Sequence, residues 1–442
     1  MRFLKKLAAS GQAILCTIHQ PNASLFENFD RLLLLQRGGE CVYFGQTNNL
    51  LGYFEKHGAY CPPNANIAEW MLDAIGAGQT ARIGNRDWAD IWRTSEELAN
   101  VKTEITAIKE ARIASVGADP AVQSHYATPL SFQIGVVVKR MNIAFWRTPN
   151  YGFTRFFNHI CISLLTGIVF INLDDSLSSL QYRVFVIFQV TVLPSLILAQ
   201  VEPMYDFARL ISYREMSSRM YKPFAFTIAM VIAEMPYSLL CAFGFFVCIY
   251  FPVGMDLTPN RAGYQFLIIL ICEQFSVSLA QMMQSITPNF YIASLLTPFI
   301  VVIFALFCGV TIPAPNIPGF WRSWLYHLDP LTRLIGGMVV TELHDKPVVC
   351  TAMELASFNA PTGATCGEYA SEFMAHASGY IKDLNATDIC QYCAYKVGDE
   401  FYEPLGLSFD NRWRDLGILA AFTASSTIFL FLGSQFLNFS RR

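Results

Sequence analysis

The chain has 442 residues, a formal net charge of −3, and 53% hydrophobic against 15% charged residues. Soluble globular proteins carry about 25% charged residues, so this balance favours a membrane protein. The near-neutral charge, with no basic patch interleaved with aromatics, argues against a nucleic-acid partner.

Met1–Ser10 carries Arg2, Lys5 and Lys6, but the apolar stretch behind them is too short and polar for a secretory signal. The amino terminus is therefore expected in the cytoplasm. Phe3, Leu4, Leu7 and Ala8 share one helical face, which Ser10-Gly11 ends. Ala13–Ile18 reads as a short buried strand that delivers His19, Gln20 and Pro21 to a loop. Arg31–Gln36 and Cys41–Phe44 read as a hairpin turning at Arg37-Gly38-Gly39-Glu40. Leu50–His57 and Ile67–Ile75 read as helices. Residues 1–76 thus form an α/β head, thin for an independent core. Residues 77–150 read as a linker that ends in a membrane-surface helix, Thr128–Arg147, with Phe145 and Trp146 at the interface.

Residues 151–442 carry six apolar stretches: Phe156–Leu173, Val184–Val201, Pro223–Phe251, Tyr264–Met283, Tyr291–Ile312 and Leu416–Phe436. Each is near or above the length that crosses a bilayer as a helix, where the backbone must satisfy its own hydrogen bonds. Lys139, Arg140, Arg147 and Arg155 precede the first stretch; Arg209, Arg214, Arg219 and Lys222 follow the second; Arg441 and Arg442 follow the sixth. If the spans alternate, all three clusters share one side, which puts both termini in the cytoplasm. Gly319–Val340 is aromatic and too polar for a span, so it reads as an interfacial or re-entrant helix pair rather than a seventh crossing.

The opposite side receives the long segment Pro313–Arg414. It holds Cys350, Cys366, Cys390 and Cys393 and the glycosylation pattern Asn385-Ala386-Thr387. Four cysteines on an oxidising side point to two disulfides with three pairings open, the alternative being a metal held by Cys390 and Cys393. Inside the spans, Glu234 and Glu273 are costly charges. They either pin helices together or carry protons.

The stretch "GQAILCTIHQPNASLFENFDRLLLLQRGGECVYFG" resembles the closing part of an ABC-type nucleotide-binding domain. It is most similar to the second such domain of fungal pleiotropic drug resistance transporters of the G subfamily. "YFEKHGAYCPPNANIAEWMLDAIGAG" and the six spans with a large loop before the last are similar to the segments that come after that domain in the family.

The resemblance implies a mainly α-helical membrane protein: a six-helix transmembrane bundle of ABC exporter G type behind a partial α/β nucleotide-binding domain. It implies that His19 is the switch-loop histidine at the γ-phosphate of ATP, where a neutral imidazole can both donate and accept a hydrogen bond. It also implies that Arg209, Arg214 and Glu215 contact the nucleotide domain. Phe188, Gln189, Val192, Phe299, Phe304 and Phe307 would line a cavity for hydrophobic compounds. Family members usually have proline where this chain has Ile67, which leaves the start of that helix less defined.

No Gly-x-x-x-x-Gly-Lys-[Ser/Thr] occurs, Leu32–Leu35 is followed by Gln36 rather than an acid, and Gly38-Gly39 lacks the flanking residues of a signature loop. The expectation is a carboxy-terminal part of a larger exporter in the plasma membrane. Its partners would be membrane lipid, a missing amino-terminal half or an equivalent half, and hydrophobic small molecules. ATP and Mg2+ would be held by the intact parent and not by this chain alone. The alternatives are a stand-alone secondary transporter or channel using Glu234 and Glu273, and an inert truncated product.

Overall fold

The computed structural model describes residues 1–18, 21–63, 65–77, 81–115 and 126–439, in two units, Met1–Ser124 and His125–Arg442. His19, Arg441 and Arg442 lie outside the described residues, so the switch-histidine reading is not addressed by the geometry.

In the first unit, Arg31–Leu35 and Cys41–Gln46 pair antiparallel, with a register irregularity between Leu34 and Leu35. Gly38 and Gly39 take positive φ in the turn, a region that costs glycine little. The hairpin buries Leu34, Val42 and Tyr43 against Leu50, Tyr53 and Phe54 from helix Leu50–Lys56 and Trp70 and Met71 from helix Ile67–Ala74. Asn66 caps that second helix by accepting from the Ala68 amide at 3.2 Å, so Ile67 does not leave its start undefined. Trp88 and Trp92 of helix Trp88–Arg93 join the same core, although they lie beyond residue 76.

Ala13–Ile18 is not a strand. Among the described residues it has no strand beside it, and Leu15 is 89% exposed. An apolar run becomes a buried strand only where neighbours complete its hydrogen-bond ladder.

The second unit contains six helices long and apolar enough to cross a membrane among the described residues: Pro149–Val169, Leu177–Ser217, Pro223–Val253, Pro259–Ile286, Phe290–Phe307 and Phe409–Phe436. Within the apolar stretch of each, 67% of the fourth span is buried against only 17% of the fifth, so the fourth is the axis. It packs on the second, third and sixth spans, while the first lies along the third. A Cβ on Gly167 would meet the Cys248 carbonyl at 2.6 Å, so glycine lets the first and third backbones touch.

The second span departs from expectation. It consists of helices Leu177–Gln189 and Val192–Ser217, and the second of these runs through what reads as an inner loop from Glu202 onward. Good helix formers and the i,i+3 pair Asp206–Arg209 sustain it. Helices Gly319–Leu328 and Pro330–Leu343 come after the fifth span, and the second of these is buried along most of its length.

Arg155, which the sequence places among the cations ahead of the first span, instead sits inside that span and is fully buried. Its Nη1 donates to Glu234 at 2.9 Å; its Nη2 donates to Glu273 at 3.1 Å and to Ser238 at 3.2 Å. Tyr151 also donates to Glu234, and His159 Nε2 lies 2.7 Å from Glu273. Both intramembrane acids are therefore paired across the first, third and fourth spans. Nearer the other end, buried Arg183 holds Glu342 at 2.8 Å and the carbonyls of Gly254 and Leu173.

Between the fifth and sixth spans, strands Ala356–Asn359, Ile389–Cys393 and Tyr380–Ile381 form an antiparallel sheet with Ile389–Cys393 in the middle. Disulfides join Cys350 to Cys393 and Cys366 to Cys390, which settles the pairing and leaves no Cys-x-x-Cys metal site. The cluster around Cys366 and Cys390 is small, so covalent links stand in for hydrophobic mass.

Candidate functional site

Two regions of the second unit carry the residues singled out in the sequence. The first is where the second span ends and the connecting helix Leu130–Trp146 packs along the third span. Arg209 is buried rather than presented to a partner. It donates to the carbonyls of Gln284 and, at 2.8 Å, Thr287, and to Asp206 at 2.6 Å. It thereby ties the end of the second span to the turn between the fourth and fifth.

Arg214, just over one helical turn further on, is exposed. Glu215 forms an ion pair with Arg140 of the connecting helix and accepts from Tyr221 at 2.5 Å. Burial, seconded by the neighbouring Glu215, holds the Tyr221 hydroxyl above its ordinary range, so it stays a donor. Gln133 of the same helix accepts from the Lys222 amide at 2.9 Å. The connecting helix is thus bolted to the turn between the second and third spans at two points. Helical spacing brings Arg140 to notice but cannot name its partner, 75 residues away.

The second region joins the second and fifth spans. Phe188, Gln189 and Val192 flank the break at Val190–Thr191 and are half-buried. On the fifth span Phe304 and Phe307 are half-buried, and Phe299 is exposed on a face shared with Leu295 and Val302. Phe307 lies 6.0 Å from Trp321, which extends the aromatic wall. The two spans are linked by Thr297, which donates to Glu202 at 2.6 Å. Pro203 and Pro298 follow these two residues directly, and neither can donate to its own helix. Aromatic surface with few polar anchors suits flat apolar molecules held with loose specificity.

Asn385 is exposed, whereas Asn22, in another match to the glycosylation pattern at Asn22-Ala23-Ser24, is used as a helix cap that accepts from the Leu25 amide. His344, Asp345 and Asp399 come together near the disulfide module. Nδ1 of His344 is 2.7 Å from Asp399 and Nε2 is 3.3 Å from Asp345. The ring thus sits between two carboxylates. Sequence reasoning misses it because Asp399 lies far from the other two in the chain.

Two family profiles, both described as ABC-2 type transporter, match residues 132–343 and 19–86. The chain is 60% identical over 99% of its length to ABC multidrug transporter I of Aspergillus fumigatus. This chain belongs to the ABC-2 type transporters of the pleiotropic drug resistance kind. It is 38% identical over 95% of its length to the ABC transporter ATP-binding protein/permease PDR18 of Saccharomyces cerevisiae. It is 37% identical, also over 95%, to the brefeldin A resistance protein of Schizosaccharomyces pombe. The alignments cover 30%, 32% and 28% of those three proteins, so this transporter chain spans about a third or less of their length. Nearly all of the connecting helix and the first five spans fall within the longer matched region.

Proposed function

We propose that this chain supplies the second membrane domain of an ATP-driven exporter of hydrophobic compounds, preceded by the closing part of a nucleotide-binding domain. The observation that carries the reading is 60% identity along 99% of the chain to a protein named as a multidrug transporter. The arrangement of the connecting helix supports it. A helix joined by Arg140–Glu215 and Gln133–Lys222 to the turn between two spans can pass a push from a cytoplasmic domain into the bundle. In this reading Arg214 and Glu215 face the nucleotide domain, and Arg209 keeps the end of the second span stiff. His19 acts as the switch histidine; residues 1–76, completed by the helix Trp88–Arg93 that shares their core, act as the head, the rest of 77–150 as the connector and 151–442 as the transport domain.

Substrate contacts fall to Phe188, Gln189, Val192, Phe299, Phe304 and Phe307. The protein resides in the plasma membrane with both termini cytoplasmic, Asn385 glycosylated and the disulfide module outside. Gly38-Gly39 forms a hairpin turn rather than the entry to a helix. We therefore assign ATP and Mg2+ to the intact transporter and derive no step through them from these residues.

The test is a chimera. This chain replaces the matching segment of ABC multidrug transporter I of Aspergillus fumigatus, and efflux of a hydrophobic dye is followed in a strain lacking its own pumps. ATP-dependent efflux retained by the chimera and lost on Glu215→Arg supports the proposal. A chimera that reaches the membrane and hydrolyses ATP but moves no dye sinks it. The rival reading, a proton-driven carrier using Glu234 and Glu273, gains nothing from the geometry, because both acids are fully buried and engaged by Arg155.

A further inference from the structure

The contact between His159 and Glu273 fixes a proton count. His159 Nδ1 lies 2.7 Å from the Arg155 carbonyl oxygen, which can only accept, so Nδ1 carries a hydrogen. Nε2 of the same ring lies 2.7 Å from Oε1 of Glu273. An imidazole lone pair and a carboxylate lone pair are both acceptors and repel at that range, so one of the two atoms carries a hydrogen. One proton therefore belongs to this contact, on Nε2 or on Oε1. Neither atom has an aligned hydrogen-bond partner, so the contact rests on close approach rather than on alignment.

The surroundings make the proton necessary. The titratable and polar groups facing the pair are Tyr151 and Arg155 from the first span, Glu234, Ser238 and Cys241 from the third and Cys272 from the fourth, so Arg155 is the cation among them. Phe245 closes the site with a ring 6.4 Å from the imidazole. Arg155, His159, Glu234 and Glu273 are all fully buried. One guanidinium cannot balance two carboxylates, and an uncompensated charge deep in a membrane domain is strongly destabilising. A single added proton makes the cluster neutral, whichever of the two atoms holds it.

We propose that the interior of this bundle binds one resident proton, shared by His159 and Glu273. It neutralises the Arg155–Glu234–Glu273 cluster and keeps the first, third and fourth spans together as one block. The proton is structural cargo and does not depend on the export reading.

The test uses the full purified chain in lipid nanodiscs at pH 7. Three variants are compared with the parent for melting temperature and monodispersity: Glu273→Gln, His159→Gln and the pair together. The amide introduced by Glu273→Gln would accept from Arg155 and donate to Nε2, which leaves a neutral cluster without the proton. Its melting temperature should therefore stay within about 3 °C of the parent. His159→Gln removes one of the two groups that share the proton, so Glu273 must hold it alone or leave the cluster one negative charge in excess, and the variant should lose on the order of 10 °C. Adding Glu273→Gln to it should recover at least half of that loss. The inference is overturned if His159→Gln melts like the parent, if Glu273→Gln is the more damaging single change, or if the two losses simply add. Nitrogen-15 spectra of histidine-labelled parent protein give a second readout that needs no variant to fold. A His159 ring unprotonated at Nδ1 would overturn the assignment by itself.

Discussion

Acids and bases occupy opposite environments in the two units. In residues 1–124 they meet in water: Lys56 with Glu96 and Glu97, Arg93 with Glu40 and Asp90, Arg82 with Asp87. In residues 125–442 the central pairs, Arg155 with Glu234 and Glu273 and Arg183 with Glu342, are sealed from it. The distances are alike, near 3 Å in both sets, so geometry does not separate them. Solvent does. Water and salt reduce an exposed pair to about 0–1 kcal/mol. A buried pair adds little over a well-packed apolar substitute, yet removing one member strands the other and costs about 3–5 kcal/mol. The same chemistry is decoration in one unit and architecture in the other.

Four measurements sharpen or break that contrast. Arg155→Ala should have the largest effect, about 3–5 kcal/mol, because it strands two carboxylates among apolar helices. A purified variant in nanodiscs that melts with the parent would end the distinction. Next comes the disulfide module. Cys366→Ser with Cys390→Ser removes a link across 24 residues and should cost about 2–4 kcal/mol locally. Trypsin should then cut within the module while leaving the spans intact.

A smaller effect is expected at Glu354, whose carboxylate accepts from the Ser178 amide at the start of the second span and from the Thr351 amide, both at 2.8 Å. Burial opposes its charge, but the hydrogen bonds from Ser178 and Thr351 outweigh burial and hold the carboxyl at about 2. Because this lies below the unfolded value of about 4.3, the stabilisation is complete above that pH and fades as pH falls towards 2. Amide exchange at Ser178, corrected for its intrinsic pH dependence, should lose protection across that window in the parent, and Glu354→Gln should abolish the change. Last, Lys56→Ala should change the stability of the head by less than about 1 kcal/mol, and added salt should erase what remains.

The spans are legible in the sequence because crossing a bilayer demands length and apolarity, which a single chain displays directly. The connecting helix and the paired helices after the fifth span are legible for a similar local reason. Relations between distant residues stay hidden. Arg155 resembles a cytoplasmic cation in the sequence because its partners lie 79 and 118 residues further on. Arg209 has the look of a contact for another domain, whereas the carbonyls it serves belong to the end of the fourth span and the turn after it. The number of disulfides follows from counting cysteines, but the pairing needs the central strand that carries Cys390 and Cys393. Ala13–Ile18 shows the reverse failure, a strand pattern with no ladder to complete it among the described residues.

The fifth span hangs from the axis by the short turn at Thr287–Asn289, and less than a fifth of its apolar stretch is buried. A stave held so lightly can exchange side chains along Leu295, Phe299 and Val302 without loosening the barrel. If that surface meets substrate as proposed, evolution, or an experimenter, can redraw it while the ionic keystone around Arg155 stays untouched.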